Sequence, residues 1–427
     1  MSYENLDRQF DYLPKEVVFC RNCVVSNQRP RITFNKEGVC SACQWAHEKD
    51  NIIDWEKREH ELIELLDKCR SQDGSFDVVV PGSGGKDSVF VAHQLKHRYG
   101  MNPICVTWAP FEYTDIGWKN LHNFVMSGFN NIIGQPDGSL HRRIAKLALK
   151  YKGDAWEPFA YGQMSWAMHI AKMYGVKLII YGENGDLEYG GSDKLKYKPN
   201  DTVEDWEETY YKSSGIDELV ELGIQDKILT KEEATKEKLK WYSAPNPNII
   251  KEVGMETHYW SYYHSWVPQE NFYYASTYNG FETNNFGHSE GTYTKYISLD
   301  DKSDGFHWYL SFMKFGMSRA SRDAQQDIRR NHITRDEGIA LTKRYDGEYP
   351  IRYHEWFLKY LDISDDELWS YLDRYRELSN VWDKRNGKWY LKDAIWYEKD
   401  NDKSFSLVKR PKQVHSRENR IDERRLK

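Results

Sequence analysis

The chain has 427 residues, with 60 Lys and Arg against 66 Asp and Glu, for a formal net charge of −6 at pH 7. That balance disfavours a general nucleic-acid binder, which draws most of its affinity from a basic field. A mean hydropathy of −0.82, with no run approaching the ~20 apolar residues that cross a bilayer, argues against a membrane protein. The opening MSYENLDRQFDYL has neither the basic nor the apolar part of a secretory signal, so the expected location is the cytoplasm.

Two Cys-x-x-Cys pairs come first, Cys20 with Cys23 and Cys40 with Cys43, sixteen residues apart. In a chain expected to be cytoplasmic, this spacing points to metal rather than disulfides. Four thiolates suit a tetrahedral zinc with no open position for a catalytic water. The expectation is a structural zinc in a module over residues 1–48; an iron–sulfur cluster or reduced thiols are the alternatives. A helical connector follows over 49–75, with Ile53, Trp55, Leu62, Leu65 and Leu66 at helical spacing.

From 76 to 191, short apolar strands alternate with helices. FDVVVP leads to a helix over Lys86–Tyr99, and Pro103–Trp108 to one over Asp115–Met126. A short strand at Asn131–Ile133 precedes helices at Leu140–Tyr151 and Phe159–Tyr174, and VKLIIYGE is a fourth strand. This alternation predicts a parallel sheet with helices on both faces and a ligand beyond the carboxyl ends of the strands. Residues 192–250 read as a charged insertion, 251–400 as an aromatic-rich substrate region and 401–427 as a basic tail. The aromatics from Tyr259 to Tyr274 admit two readings, a sugar platform and a plain core.

The chemistry concentrates in PGSGGKDS, residues 81–88, between the first strand and its helix. A Walker loop needs Ser or Thr after its Lys, where Asp87 stands, and a dinucleotide loop starting at Gly82 needs Gly at 87. Both fail, yet the sequence still suits an anion. Gly84 and Gly85 let backbone N–H groups approach it, the helix supplies its N-terminal dipole, and Ser83, Lys86 and Ser88 add donors.

S-G-G-K-D-S in this strand–loop–helix setting resembles the PP-loop of the N-type ATP pyrophosphatases, the adenine nucleotide alpha hydrolase-like fold. With the cysteine knuckles, Y-G-E-N-G-D-x-E-Y-G-G, W-V-P-Q-E-N and D-I-R-R-N-H-I-T-R-D-E-G-I, the chain resembles the N-acetyl sugar amidotransferases, the WbpG/PseA-like proteins of lipopolysaccharide and flagellin-glycan synthesis. It departs from their pattern at Asn184-Gly185-Asp186. The resemblance implies an α/β PP-loop domain with an N-terminal zinc ribbon and an α-rich C-terminal region. The activity it implies is conversion of a sugar acetamido group to an acetamidino group with ATP, Mg²⁺ and ammonia, releasing AMP and pyrophosphate.

On that reading Ser83, Gly84, Gly85, Lys86, Asp87 and Ser88 cradle pyrophosphate, and Asp87 also holds magnesium. Glu183 and Asn184 meet magnesium or substrate, though Glu183 could instead cap a helix or form a salt bridge. Glu188, Lys314, Arg319, Arg322, Arg329 and Arg335 are candidates for substrate; the arginines could clamp a carboxylate or a nucleotide diphosphate, or equally pair with Asp323, Asp327, Asp336 and Glu337. Neither Cys69 nor Cys105 sits in a nucleophile setting, so ammonia is expected from outside, and the family implies a glutaminase and channel pair like those of histidine biosynthesis. The alternative is a PP-loop tRNA-modifying enzyme of the thiolase type, which the net charge disfavours.

Overall fold

The computed structural model describes residues 5–202 and 215–398; the basic tail at 401–427 lies outside them, as does part of the insertion. Its centre is a six-stranded sheet of β1 (Val78–Pro81), β2 (Pro103–Trp108), β3 (Asn130–Gly134), β4 (Leu178–Tyr181), β5 (Asn200–Asp201) and β6 (Glu256–Tyr259). The order is β3-β2-β1-β4-β6-β5, with β5 antiparallel at the edge and the other five parallel.

Burial on both faces explains why β2 reads as one apolar run, PICVTW, rather than as an alternation. Along β1 the faces separate. Val78 and Val80 pack with Val89, Leu95 and the connector residues Leu62 and Leu66. Val79 points the other way, toward Met164, Ala167 and Ala171 of the helix Glu157–Tyr174. That helix begins two residues earlier than its apolar pattern predicts, because Pro158 fits its first turn.

Both β5 and β6 are absent from the sequence-based strand assignment. β6 reads ETHY, with no apolar run, and becomes a strand by pairing with β4 from Leu178↔Glu256 to Tyr181↔Tyr259. The aromatic stretch after it is core: Trp260, Tyr263 and Trp266 are buried against the face that carries Val78 and Val80, so the sugar-platform reading of Tyr259 to Tyr274 does not hold. Burying each such side chain is worth roughly 1.5–3 kcal/mol.

The described part of the charged insertion is packed too. Ile216, Leu219 and Val220 of the helix Ile216–Gln225 bury against Leu140, Ile144 and Leu147. Beyond residue 300 the chain is helix-rich, with helices at Asp304–Phe315, Arg319–Arg329, Arg335–Tyr345, His354–Leu361 and Asp365–Leu378 and one hairpin, Trp382–Arg385 with Lys388–Leu391. Phe306, Phe312, Met313, Trp356 and Trp382 form its core. Among the described residues no helix is long and apolar enough to cross a membrane.

Candidate functional site

The chain moves outward from β1 through β2 to β3, then returns to place β4 on the other side of β1. That reversal opens a crevice at the carboxyl ends of β1 and β4, the position where doubly wound sheets bind ligands. It is a cavity of about 500 Å³ that reaches from the glycine loop to the C-terminal helices.

The loop after β1 lines it. Gly84 has φ +83°, and a Cβ there would meet the Leu121 Cα at 2.5 Å, so only glycine brings this backbone close to the next helix. Gly85 caps the twelve-residue helix Lys86–His97, whose first N–H groups have no partner within the helix and offer an anion a positive terminus. Ser83 hydrogen-bonds the Asp300 carboxyl, and the Ser88 hydroxyl donates to the Gly85 carbonyl at 3.1 Å. Lys86 is buried and pairs with the neighbouring Asp87 carboxylate. Its Nζ lies 5.6 Å from the centre of the Tyr296 ring.

A second support of Asp87 comes from the W-V-P-Q-E-N segment, where Asn271 Nδ2 donates to Asp87 Oδ1 at 2.9 Å. Helix Pro268–Asn279 carries Asn271 and packs against Lys86–His97.

Glu183, just past β4, also lines the crevice. Burial raises its pKa, and the Asp87 carboxylate raises it further, while Arg322 and Lys86 oppose the shift. Its Oε1 accepts a hydrogen bond from Tyr189 at 3.2 Å. Glu183 does not cap the following helix; Asn184 does, its Oδ1 accepting from the Asp186 and Leu187 amides at 3.0 and 3.3 Å. Asn184 is therefore engaged by the backbone.

Three crevice carboxylates went unnoticed in the sequence: Asp300, Asp301 and Asp304. Burial raises all three pKa values, that of Asp301 to about 7. Asp301 accepts from the Phe111 and Ser303 amides at 2.9 and 2.8 Å, which fixes it as a structural member. The available signal was S-L-D-D-K-S-D, residues 298–304, with three Asp in a short apolar-bounded turn.

Four expected substrate residues lie elsewhere. Glu188 forms a buried ion pair with Lys49, at 2.6 and 2.7 Å. Lys314 pairs with the buried Asp7 at 2.5 Å and donates to the Lys152 carbonyl at 3.0 Å. Arg329 donates to the Glu188 carbonyl at 2.6 Å, and Arg335 to the Cys23 and Cys20 carbonyls at 3.2 and 3.1 Å. Of the expected arginines, Arg319 and Arg322 reach the crevice, Arg319 with its Nε on Asp323 at 2.9 Å.

The four cysteines converge. Cys20 and Cys43 sulfurs lie 3.9 Å apart, Cys23 and Cys40 sulfurs 3.8 Å, and all four are buried within 4.8 Å of one another. Tetrahedral Zn–S bonds of about 2.3 Å put sulfurs about 3.8 Å apart, so the cluster could bind a zinc ion. Hydrogen bonds from the neighbouring thiols push the Cys20 pKa strongly down, while burial pushes that of Cys23 well up. A divalent cation bound there would hold every sulfur as thiolate.

This module wraps the Y-G-E-N-G-D-x-E-Y-G-G motif. Arg31 grips Asp186 with two bonds, at 2.8 and 3.1 Å, and Arg29 donates to the Gly190 carbonyl. Helix Ser41–Asn51 supplies Lys49 to Glu188. The role left open for Asp186 is thus a dock for the cysteine module.

Fold and site together define a parallel-sheet α/β protein with a glycine-rich loop at the sheet's switch point, a cluster of four cysteines that could bind a zinc ion and a helical C-terminal part. Residues 290–395 match the family model for the LPS biosynthesis protein WbpG-like, C-terminal domain. The chain therefore carries the WbpG-like C-terminal domain, and that domain supplies Asp300, Asp304, Arg319 and Arg322 to the crevice. Over 89 residues it is also 32% identical to an uncharacterized protein of Methanocaldococcus jannaschii, covering 20% of this chain and 31% of that protein. The chain thus spans about a third of the length of the curated relative it matches.

Proposed function

We propose that the protein is an ATP-dependent amidotransferase of the PP-loop ATP pyrophosphatase type. It converts the acetamido group of an N-acetyl sugar to an acetamidino group in surface-polysaccharide or flagellin-glycan synthesis. The observation that carries this reading is one crevice shared by the glycine loop, Glu183 and the WbpG-like domain's Asp300, Asp304, Arg319 and Arg322. A phosphate-gripping loop facing a domain of lipopolysaccharide-biosynthesis proteins supports ATP chemistry on a sugar.

An amide oxygen is a poor leaving group. Its attack on the α-phosphorus of ATP expels pyrophosphate and makes an O-adenylyl imidate. Ammonia then adds to the imidate carbon, AMP departs with the oxygen, and two protons leave along the way. The loop amides, Ser83, Ser88 and Lys86 bind the departing pyrophosphate. Such catalysis is mainly positioning and fixed electrostatics. Asp87, with Asp300 and Asp304 in the same cavity, would hold Mg²⁺, which neutralises polyphosphate charge. Glu183, with its raised pKa, suits the acceptance of a proton from the incoming nitrogen.

Ammonia is proposed to come from a separate glutaminase and channel pair. A thiolase reading would draw on an activated thiol, whereas burial pushes both Cys105 and Cys69 up.

Mass spectrometry of the full chain with ATP, Mg²⁺, ammonium and a panel of nucleotide-activated acetamido sugars tests the proposal. The expected product is lighter by about one mass unit, as replacement of O by NH requires, with AMP and pyrophosphate in step. AMP release triggered by tRNA and by no sugar would overturn it.

A further inference from the structure

The arginines of the crevice come from opposite ends of the chain. Arg29 and Arg31 lie between the two cysteine pairs; Arg319 and Arg322 open the second helix of the WbpG-like domain; all four line one cavity. Arg31 is paired with Asp186 and Arg319 with Asp323. Arg29 uses Nε on a backbone carbonyl, not on a carboxylate. The Arg322 guanidinium carbon lies 3.7 Å from the centre of the Tyr189 ring and 5.3 Å from that of Trp308, and its buried Nε has no hydrogen-bond partner. Burial first, and then the charge of Arg322, push Arg29 down to about 9, while Asp186 opposes the shift.

Glu183 lines the same cavity as this cluster and the glycine loop. Its carboxyl feels the charges of Asp87, Arg322 and Lys86.

We infer that Arg29, Arg31, Arg319 and Arg322 form a second anion subsite, distinct from the glycine loop, that takes the diphosphate of a nucleotide-activated sugar. Guanidinium forks match phosphate oxygens in pairs, and Arg29, whose Nε is on a backbone carbonyl, and Arg322, whose Nε is buried with no partner, have N–H groups to offer a diphosphate diester. The cysteine module is thereby a part of the substrate site: its four converging cysteines flank the segment that carries Arg29 and Arg31 to Gly190 and Asp186. The inference rests on the amidotransferase reading for the sugar alone.

Calorimetric titration of the full chain with UDP-N-acetylglucosamine, and separately with ATP and Mg²⁺, tests it. Arg29→Gln and Arg322→Gln should each weaken the UDP-sugar about ten-fold, a loss of ~1.4 kcal/mol, and leave ATP within about two-fold; Lys86→Ala should do the reverse. A second measurement needs no variant. Saturating UDP-N-acetylglucosamine should slow phenylglyoxal modification of Arg29 and Arg322 in the wild-type chain several-fold, and ATP should not. The inference is overturned if both variants bind the UDP-sugar normally, if they lose only ATP, if protection is absent, or if the wild type binds neither the sugar nucleotide nor UDP at millimolar concentration. UDP-sugar binding lost in the variants, with no amidino product from any acetamido sugar, would sink the amidotransferase reading and leave the subsite standing. Amidino product with unchanged KM in both variants would do the opposite.

Discussion

The loop after β1 and the loop after β4 end on the same edge of the sheet, yet their residues face opposite ways. Gly82 to Ser88 point into the crevice. Of the stretch from Glu183 to Gly191, the side chains of Asn184, Asp186 and Glu188 serve structure, capping a helix or docking the cysteine module; Asp186 lines the crevice while held by Arg31, and Glu183 lines it with no arginine or lysine paired to it among the described residues. Position at a strand's carboxyl end thus selects a neighbourhood, and each side chain's partner decides its role.

The largest effect that would break this comparison is on stability. Glu188→Ala leaves Lys49 buried without its carboxylate partner, and burial already lowers its pKa to about 8 with Glu188 in place. Removing one partner of such a pair costs about 3–5 kcal/mol, so urea or thermal unfolding should show a loss of that order while the loop stays intact. A loss below about 1 kcal/mol would mean the motif does not hold the cysteine module. On the other side, Lys86→Ala should lower AMP release about 10²–10³-fold, the range for one lost charge-stabilising donor. Its stability should change little, which a parallel melt checks.

Glu183 sharpens the contrast through pH. Its pKa lies above the ordinary 4.5. In wild type the acid limb of kcat/KM, which reports the free enzyme, should therefore fall at a pH above 4.5, and Glu183→Gln should remove that limb along with most of the rate. The stability sign is the reverse. Folding raises this pKa, so the native state keeps the proton longer and loses stability as pH climbs from the ordinary value through the raised one. Glu183→Gln should flatten that decline, making the variant more stable than wild type at neutral pH. An identical decline in both would show that Glu183 is not the buried group.

How much of this was readable beforehand follows from where each constraint acts. The cysteine spacing and the glycine loop are local: four sulfurs need two short turns, and Gly84 needs φ above zero beside Leu121. Both stand out in one dimension. Arg29, Arg31, Asp300 and Asp304 reach the crevice only because the first fifty residues and the WbpG-like domain meet there, and no spacing within either segment encodes the meeting. Lys314, Arg329 and Arg335 fail for the same reason, since Asp7, Glu188 and the cysteine carbonyls that capture them are distant in sequence. β6 was invisible because ETHY takes its strand form from β4.

The most direct measurement uses a nucleotide-activated acetamido sugar carrying ¹⁸O in its acetamido carbonyl, turned over by the full chain with ATP, Mg²⁺ and ammonium. The account predicts that the heavy oxygen leaves on the phosphate of AMP, with none in pyrophosphate and none in the sugar product. Heavy oxygen retained in the sugar while AMP accumulates, or found in pyrophosphate, would contradict it.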